Sequence, residues 1–145
     1  MDVFFDTSVL VAASVQAHPH HVQTSRVFRR VMSGEDRGFI SAHSIAEAYA
    51  GLTRVPVQPR IHPVDAARIV NENILPHFEL VMIEREDYLA ALQQVAAAGW
   101  PGAKIYDALL LGGAAKCNAE RIYTFNLADF RGLASSDQLA KICAP

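Results

Sequence analysis

Short continuous apolar runs alternate along the chain with longer segments whose apolar positions recur every three or four residues. Val3-Phe4-Phe5, closed by Asp6, has the pattern of a buried strand. A helix is predicted from about Thr7 to Gln16 on Val9, Leu10, Ala12 and Ala13, and Pro19 marks a polar break at His18–His21. A second helix runs from about His20 to Ser33 on Val27, Phe28, Val31 and Met32, with Gly34 as its stop. Gly38–Ser41 reads as a strand and Ala42–Thr53 as a third helix. Pro63 and Asp65 open a fourth helix, carrying Ala66, Ile69, Val70 and Ile74, that Pro76 ends. Phe78–Ile83 is a third strand. The helix after it, about Glu84 to Ala98, places Tyr88, Leu89, Leu92, Val95 and Ala96 on its buried face. Trp100-Pro101-Gly102 is a turn with an anchoring aromatic. The helix near Ala103–Cys117 is apolar almost all round, which predicts burial. Arg121–Thr124 is a fourth strand, Asn126–Phe130 a turn, and Ser135–Ile142 a short helix or strand.

Strands separated by helices of this length predict an α/β fold, a parallel sheet with helices on both faces. No repeat or low-complexity tract divides residues 1–145, and the proline-rich Val55–Pro63 reads as an ordered loop, so a single domain is expected. In such sheets ligands bind beyond the carboxyl ends of the strands. The search for chemistry therefore narrows to the residues that follow each strand.

Composition removes several classes of function. Hydrophobic residues make up 51% of the chain and charged residues 19%, which excludes an intrinsically disordered chain. The longest apolar stretch, Ala108–Ala115, is far short of the roughly 18 residues of a membrane span. The segment Met1–Asp6 has no basic lead, so no signal peptide is expected. Cys117 and Cys143 form neither a disulfide framework nor a zinc spacing, which suits a reducing cytoplasm. The net charge is −2, so any contact with nucleic acid must be local.

Four acidic positions stand out. Asp6 closes the first strand, where it could simply cap the next helix. Glu47 is flanked by Ala46 and Ala48 on a helix. Asp107 precedes Ala108-Leu109-Leu110-Leu111, where a carboxylate is costly unless it is paired, capped or metal-bound. Asp129, with Asn126, follows the strand that ends at Thr124, and both could be ordinary turn formers. Doubly wound geometry brings these positions to one rim. Carboxylates there repel by about 4 kcal/mol per pair at 4 Å and an effective dielectric of 20, a repulsion that a cation relieves. Oxygen ligands without cysteine favour Mg²⁺ or Mn²⁺ over zinc.

Other polar groups have plainer readings. His18, His20 and His21 lie in a polar loop with no partner at ligand spacing, and read as an exposed loop or helix start. Arg26, Arg29 and Arg30 form a solvated face. Lys104 lies at the expected cleft rim, where it could touch a substrate phosphate. Tyr49, Leu52, Val55 and Val57 read as core packing.

The segments Phe4-Phe5-Asp6-Thr7-Ser8-Val9-Leu10, Ser41 with Ala46-Glu47-Ala48-Tyr49, Ile105-Tyr106-Asp107-Ala108-Leu109 and Tyr123–Phe130, in that order, resemble the PIN-domain family. More narrowly they are similar to the VapC-type toxins of toxin–antitoxin pairs, over nearly the whole chain. The resemblance implies a three-layer PIN-like fold, a central parallel sheet of four or five strands flanked by helices. It also implies an Mg²⁺- or Mn²⁺-dependent endoribonuclease held inactive by a cognate VapB-type antitoxin, and commonly a homodimer. Asp6, Glu47 and Asp107 match the family's three acidic positions. Where some members have a fourth acid two residues after the threonine, this chain has Asn126; Asp129 then supplies the fourth charge and Asn126 orients a ligand or water. Asp6 and Asp107, joined by Asp129, are the implied metal ligands. Glu47 and Asp129 would hold water, a second ion or the attacking water. Thr7, Ser8, Lys104 and Thr124 are the implied positioning and substrate-binding residues. Tyr49, Leu52, Val55 and Val57 become candidates for an antitoxin groove.

Other readings compete. A haloacid-dehalogenase-like phosphatase needs a second Asp where Ser8 stands. A receiver-like phospho-acceptor needs paired acids at the first strand and a strand-end lysine. An inactive PIN-like binding module fits the departure at Asn126.

Overall fold

Five short strands build one all-parallel sheet in the order β3-β2-β1-β4-β5. The computed structural model describes residues 1–145. The strands are β1 (Asp2–Phe5), β2 (Arg37–Ser41), β3 (Phe78–Val81), β4 (Arg121–Tyr123) and β5 (Ile142–Cys143). Register pairs Phe4 with Phe39 on one side of β1 and with Ile122 on the other. The helices are α1 (Thr7–Ser14), α2 (His21–Met32), α3 (His43–Arg54), α4 (Pro63–Arg68), α5 (Arg85–Ala98), α6 (Lys104–Lys116), α7 (Leu127–Leu133) and α8 (Ser136–Leu139). Helix α4 continues as a π-helical segment, Ile69–Ile74, which keeps Val70 and Ile74 in the core. No helix is long and apolar enough to cross a membrane.

Strand alternation splits the core into two layers. Val3, Phe5 and Ile40 face α1 to α4, whereas Phe4, Phe39 and Ile122 face α5 to α7. The strand side chains are apolar on both faces because helices cover both faces. Gly38 is required by packing, since a Cβ there would lie 2.7 Å from the Phe78 ring. Helix α6 is buried along Ala108–Leu111, Gly113 and Ala114, as its apolar circumference predicts.

Three local expectations are corrected. Tyr88, Leu89, Leu92 and Ala96 are exposed; α5 meets α6 through the smaller Ala91 and Val95. The segment expected as a turn, Asn126–Phe130, opens helix α7, whose Phe130 and Leu133 are buried. The tail is not a choice between helix and strand: α8 is followed by β5, which adds a fifth strand beside β4. Trp100 does anchor its turn, and a Cβ on Gly132 of α7 would collide with its indole.

The chain runs outward from β1 to β2 and β3, then returns to place β4 on the other side of β1. Connections therefore diverge between β1 and β4. That switch point is where a crevice forms in a doubly wound sheet.

Candidate functional site

Asp6 and Thr124 are the first residues beyond β1 and β4, at the switch point. Asp6 occupies the N-cap position of α1, yet its side chain makes no capping hydrogen bond. Instead its Oδ2 accepts from Ser8 Oγ at 2.7 Å and from Thr124 Oγ1 at 2.8 Å. No hydrogen bond engages Oδ1, and no buried side-chain polar atom lacks a partner, so Oδ1 is open to solvent. The Thr124 hydroxyl is itself fixed, accepting from the Asn126 backbone N–H at 2.9 Å. The carboxylate is thus aimed by two hydroxyls and keeps one free oxygen.

A cavity of about 980 Å³ opens there, and Asp6, Thr7, Ser8, Glu47, Asp107 and Asn126 all line it. Thr7 Oγ1 lies 3.2 Å from Ser44 Oγ and 3.5 Å from Glu47 Oε1. Burial pushes the Glu47 carboxyl above its ordinary range and nearby Asp6 adds to it, while His43 works against the shift. His43 Nε2 sits 3.8 Å from Glu47 Oε1, one helical turn away.

Asp107 is the most perturbed of these acids. Burial, then the Asp6 and Asp129 carboxylates, push it up to about 6, although it stands in the first turn of α6. The positive end of a helix would lower it, so desolvation and like charge outweigh the helix dipole here. Its hydrogen-bond partner is the Asn126 amide, Nδ2 donating at 3.0 Å. The same Nδ2 donates to Asp129 Oδ2 at 2.9 Å.

Asp129 and Lys104 stand apart from the other candidates. Neither lines the cavity; Lys104 Nζ donates to Asp129 Oδ2, and Lys104 with Asn126 holds that carboxyl below its ordinary range. Lys104 Nζ also lies 5.4 Å from the Trp100 ring centroid. The lysine expected to reach substrate is therefore engaged with the acid expected to supply the fourth charge. The structure gathers Asp6, Glu47, Asp107 and Asn126 directly, and Asp129 through Asn126.

The donor set, carboxylate oxygens with one of them free, suits a hard divalent cation, and burial, with like charge beside it, raises two of the acids. No three His, Cys, Asp or Glu side chains converge on a single point. Mg²⁺ does not need three, because it usually keeps several waters and takes one or two carboxylates. Asp6 and Asp107 fit that requirement.

Other lining residues were not assigned to the site from sequence: His18, His20, His43, Arg54, Tyr106 and Phe125. Some had a local signal. His43 and Arg54 lie one and two turns from Glu47 on α3, and Tyr106 directly precedes Asp107. His18 and His20, read as an exposed loop, are brought in by the return of that loop toward Phe125. Of the suggested groove residues, Leu52 is buried, Val55 and Val57 pack on the core, and Tyr49 is exposed.

Comparison with known proteins agrees with this fold. Residues 3–134 match the PIN domain. Ribonuclease VapC27 of Mycobacterium tuberculosis (strain ATCC 25618 / H37Rv) is 32% identical over 115 residues, covering 79% of this chain and 78% of that protein. Among solved structures, M. tuberculosis VapC20, described as a Sarcin-Ricin loop cleaving toxin, superposes with a TM-score of 0.65 at 18% identity, covering 86% of this chain and 89% of the other. VapBC2 from Rickettsia felis, solved bound to a DNA fragment from its promoter, gives 0.60 at 15% identity, covering 92% and 93%. At those identities the two structures speak for the fold alone.

Proposed function

The chain belongs to the PIN-domain family, and from that premise we propose that it is a VapC-type toxin, an endoribonuclease dependent on Mg²⁺ or Mn²⁺. The observation that carries the proposal is the one cavity beyond the strand ends that Asp6, Glu47 and Asp107 line together, where burial and facing carboxylates push Asp107 up to about 6. A group perturbed in that way, in a cleft, marks a functional site better than a structural one.

Asp6 and Asp107 would hold a divalent cation, which would neutralise charge on the phosphodiester and make a water more acidic. The chain's own residues do the rest. Ser8 and Thr124 fix Asp6 with its open oxygen toward the cavity. Glu47, held above its ordinary range beside the same space, is placed to orient the attacking water and take its proton. Asn126 holds Asp107 and Asp129 together by one amide group. Lys104 is tied to Asp129, and it would meet a substrate phosphate only by exchanging that partner. Water attacks phosphorus and gives its proton to Glu47, the bond to the leaving 3′-oxygen breaks, and that oxygen takes a proton from solvent, so the products carry 5′-phosphate and 3′-hydroxyl ends.

The biological setting proposed is the cytoplasm, with a VapB-type antitoxin and a second copy of the chain as partners. The similarity to Ribonuclease VapC27 supports the toxin reading, and the exposed Tyr88, Leu89 and Leu92 offer apolar area to such partners. A catalytically inactive binding module is the second reading, favoured by Asn126 standing where a carboxylate could ligate.

Purified protein free of antitoxin is expected to cleave RNA with Mn²⁺ or Mg²⁺ and to stop in EDTA. Asp6→Asn and Asp107→Asn are each expected to abolish cleavage while leaving the circular dichroism spectrum unchanged. Undiminished cleavage in either variant would remove the site assignment, and intact RNA under every divalent ion would favour the inactive module.

A further inference from the structure

Two stacked aromatic pairs line the same cavity as the carboxylates. His20 lies on Phe125 with centroids 4.5 Å apart and planes at 24°, and His43 lies on Tyr106 at 5.5 Å and 15°. In each pair one ring is exposed, His20 or Tyr106, and is backed by a partly buried one. Each pair is also tied to the acidic set. Tyr106 precedes Asp107, His43 lies one turn before Glu47, and Phe125 separates Thr124 from Asn126.

Core packing does not account for rings left exposed on a cavity wall. Electrostatics gives a polynucleotide little reason to enter either, because the chain is net negative and the cavity floor is acidic. Affinity must come from a term that does not depend on net charge. Stacking of a nucleobase on an aromatic ring is such a term, and it is available only to bases that are not already stacked in a duplex. A ring already backed by its neighbour is ordered before the base arrives, so less freedom is lost on binding. Arg54, exposed at the cavity and without an ion-pair partner, adds one cation for a phosphate.

We propose that His20–Phe125 and His43–Tyr106 are two base-stacking platforms that seat unpaired nucleobases on either side of the phosphodiester to be cleaved. This rests on the ribonuclease reading and assigns its substrate contacts. The platforms admit an unpaired RNA segment and refuse the same sequence as a duplex.

The test is fluorescence anisotropy in EDTA with a labelled single-stranded RNA, the same strand annealed to its complement, and a strand carrying abasic sites. Wild type, Tyr106→Ala, His20→Ala and Tyr106→Phe are compared, with Mn²⁺-dependent cleavage by wild type measured alongside. Both alanine variants are expected to weaken single-strand binding by roughly 5- to 150-fold, the alanine cost of one base stack. Tyr106→Phe keeps its ring and is expected to stay within about twofold of wild type. The abasic strand and the duplex are expected to bind all four proteins equally weakly. Both changed side chains are exposed, so the fold survives them. Alanine variants that bind the single strand as wild type does overturn the platforms, and so does a Tyr106→Phe loss equal to that of alanine. If wild type cleaves RNA in either of those cases, the nuclease reading stands without them. Wild type that neither binds nor cleaves RNA overturns both.

Discussion

The two ends of the sheet hold the same residue type in opposite electrical settings. At the amino end Asp36 is buried, and it accepts from Arg30 Nε at 2.6 Å, Arg30 Nη2 at 3.1 Å and the Met1 amine at 3.1 Å. The Arg30 hydrogen bond and its charge, helped by the amine, hold the Asp36 carboxyl below the usual range against its own burial. Beside it Arg37 forks onto Glu79 at 2.6 and 2.8 Å. At the carboxyl end Asp107 has an amide for a partner and other carboxylates for neighbours, and it rises to about 6. Burial opposes ionisation at both ends; the partners decide the outcome. A paired buried acid is costly to unpair, whereas an acid facing other carboxylates is carried by the rest of the fold and marks a candidate site.

Substitution should break the contrast in opposite directions. Asp36→Asn is expected to lower the unfolding free energy by about 2–3 kcal/mol in urea melts, because it leaves Arg30 and the amine facing a neutral amide. Its cleavage rate per folded molecule should be unchanged, since Asp36 lies at the far end of the sheet. Asp107→Asn is expected to raise the stability of the metal-free protein, by about 1 kcal/mol, while cleavage is lost. Loss of stability in Asp107→Asn would mean that its carboxylate is better paired than the structure shows.

A smaller effect sharpens the same contrast through pH. A carboxyl raised from its ordinary 3.8 to about 6 keeps its proton in the folded state after the unfolded chain has lost it. The folded state then binds more protons, so stability falls as pH rises through that window and stays lower above it. Glu47 shifts in the same direction. Asp36, held low, contributes stability that is fully present above the unfolded value and lost in acid. Thermal melts of metal-free protein between about pH 4 and pH 7 should show a decline that Asp107→Asn flattens.

Much of this was legible in the chain because buried parallel strands are continuous apolar runs. Val3-Phe4-Phe5 announces β1, and the acid that closes it falls at a carboxyl end by topology alone. The apolar circumference of α6 likewise predicted its burial and made Asp107 conspicuous. Periodicity was less informative on α5, where Tyr88, Leu89 and Leu92 form an apolar face that no element of this chain covers. A repeat shows which side of a helix is apolar, not which side meets a neighbour. Helix α7 was hidden because Asn126 and Asp129 are also ordinary turn formers; Asn126, at its N-cap, donates to Asp107 and Asp129 and makes no capping hydrogen bond. The pairing of Lys104 with Asp129 and the stacking of His20 on Phe125 join segments far apart in the chain. No local pattern encodes those contacts; they follow from the strand order.

The central claim is that the unpaired carboxylates at the carboxyl end of the sheet form a place for a divalent cation. Calorimetric titration of Mn²⁺ into chelator-stripped protein at about pH 6, repeated in buffers of different ionisation enthalpy, tests it most directly. Wild type and Asp36→Asn should bind saturably and release protons on binding, and Asp107→Asn should lose both signals. Binding of equal strength in Asp107→Asn, or none in wild type, would contradict the claim.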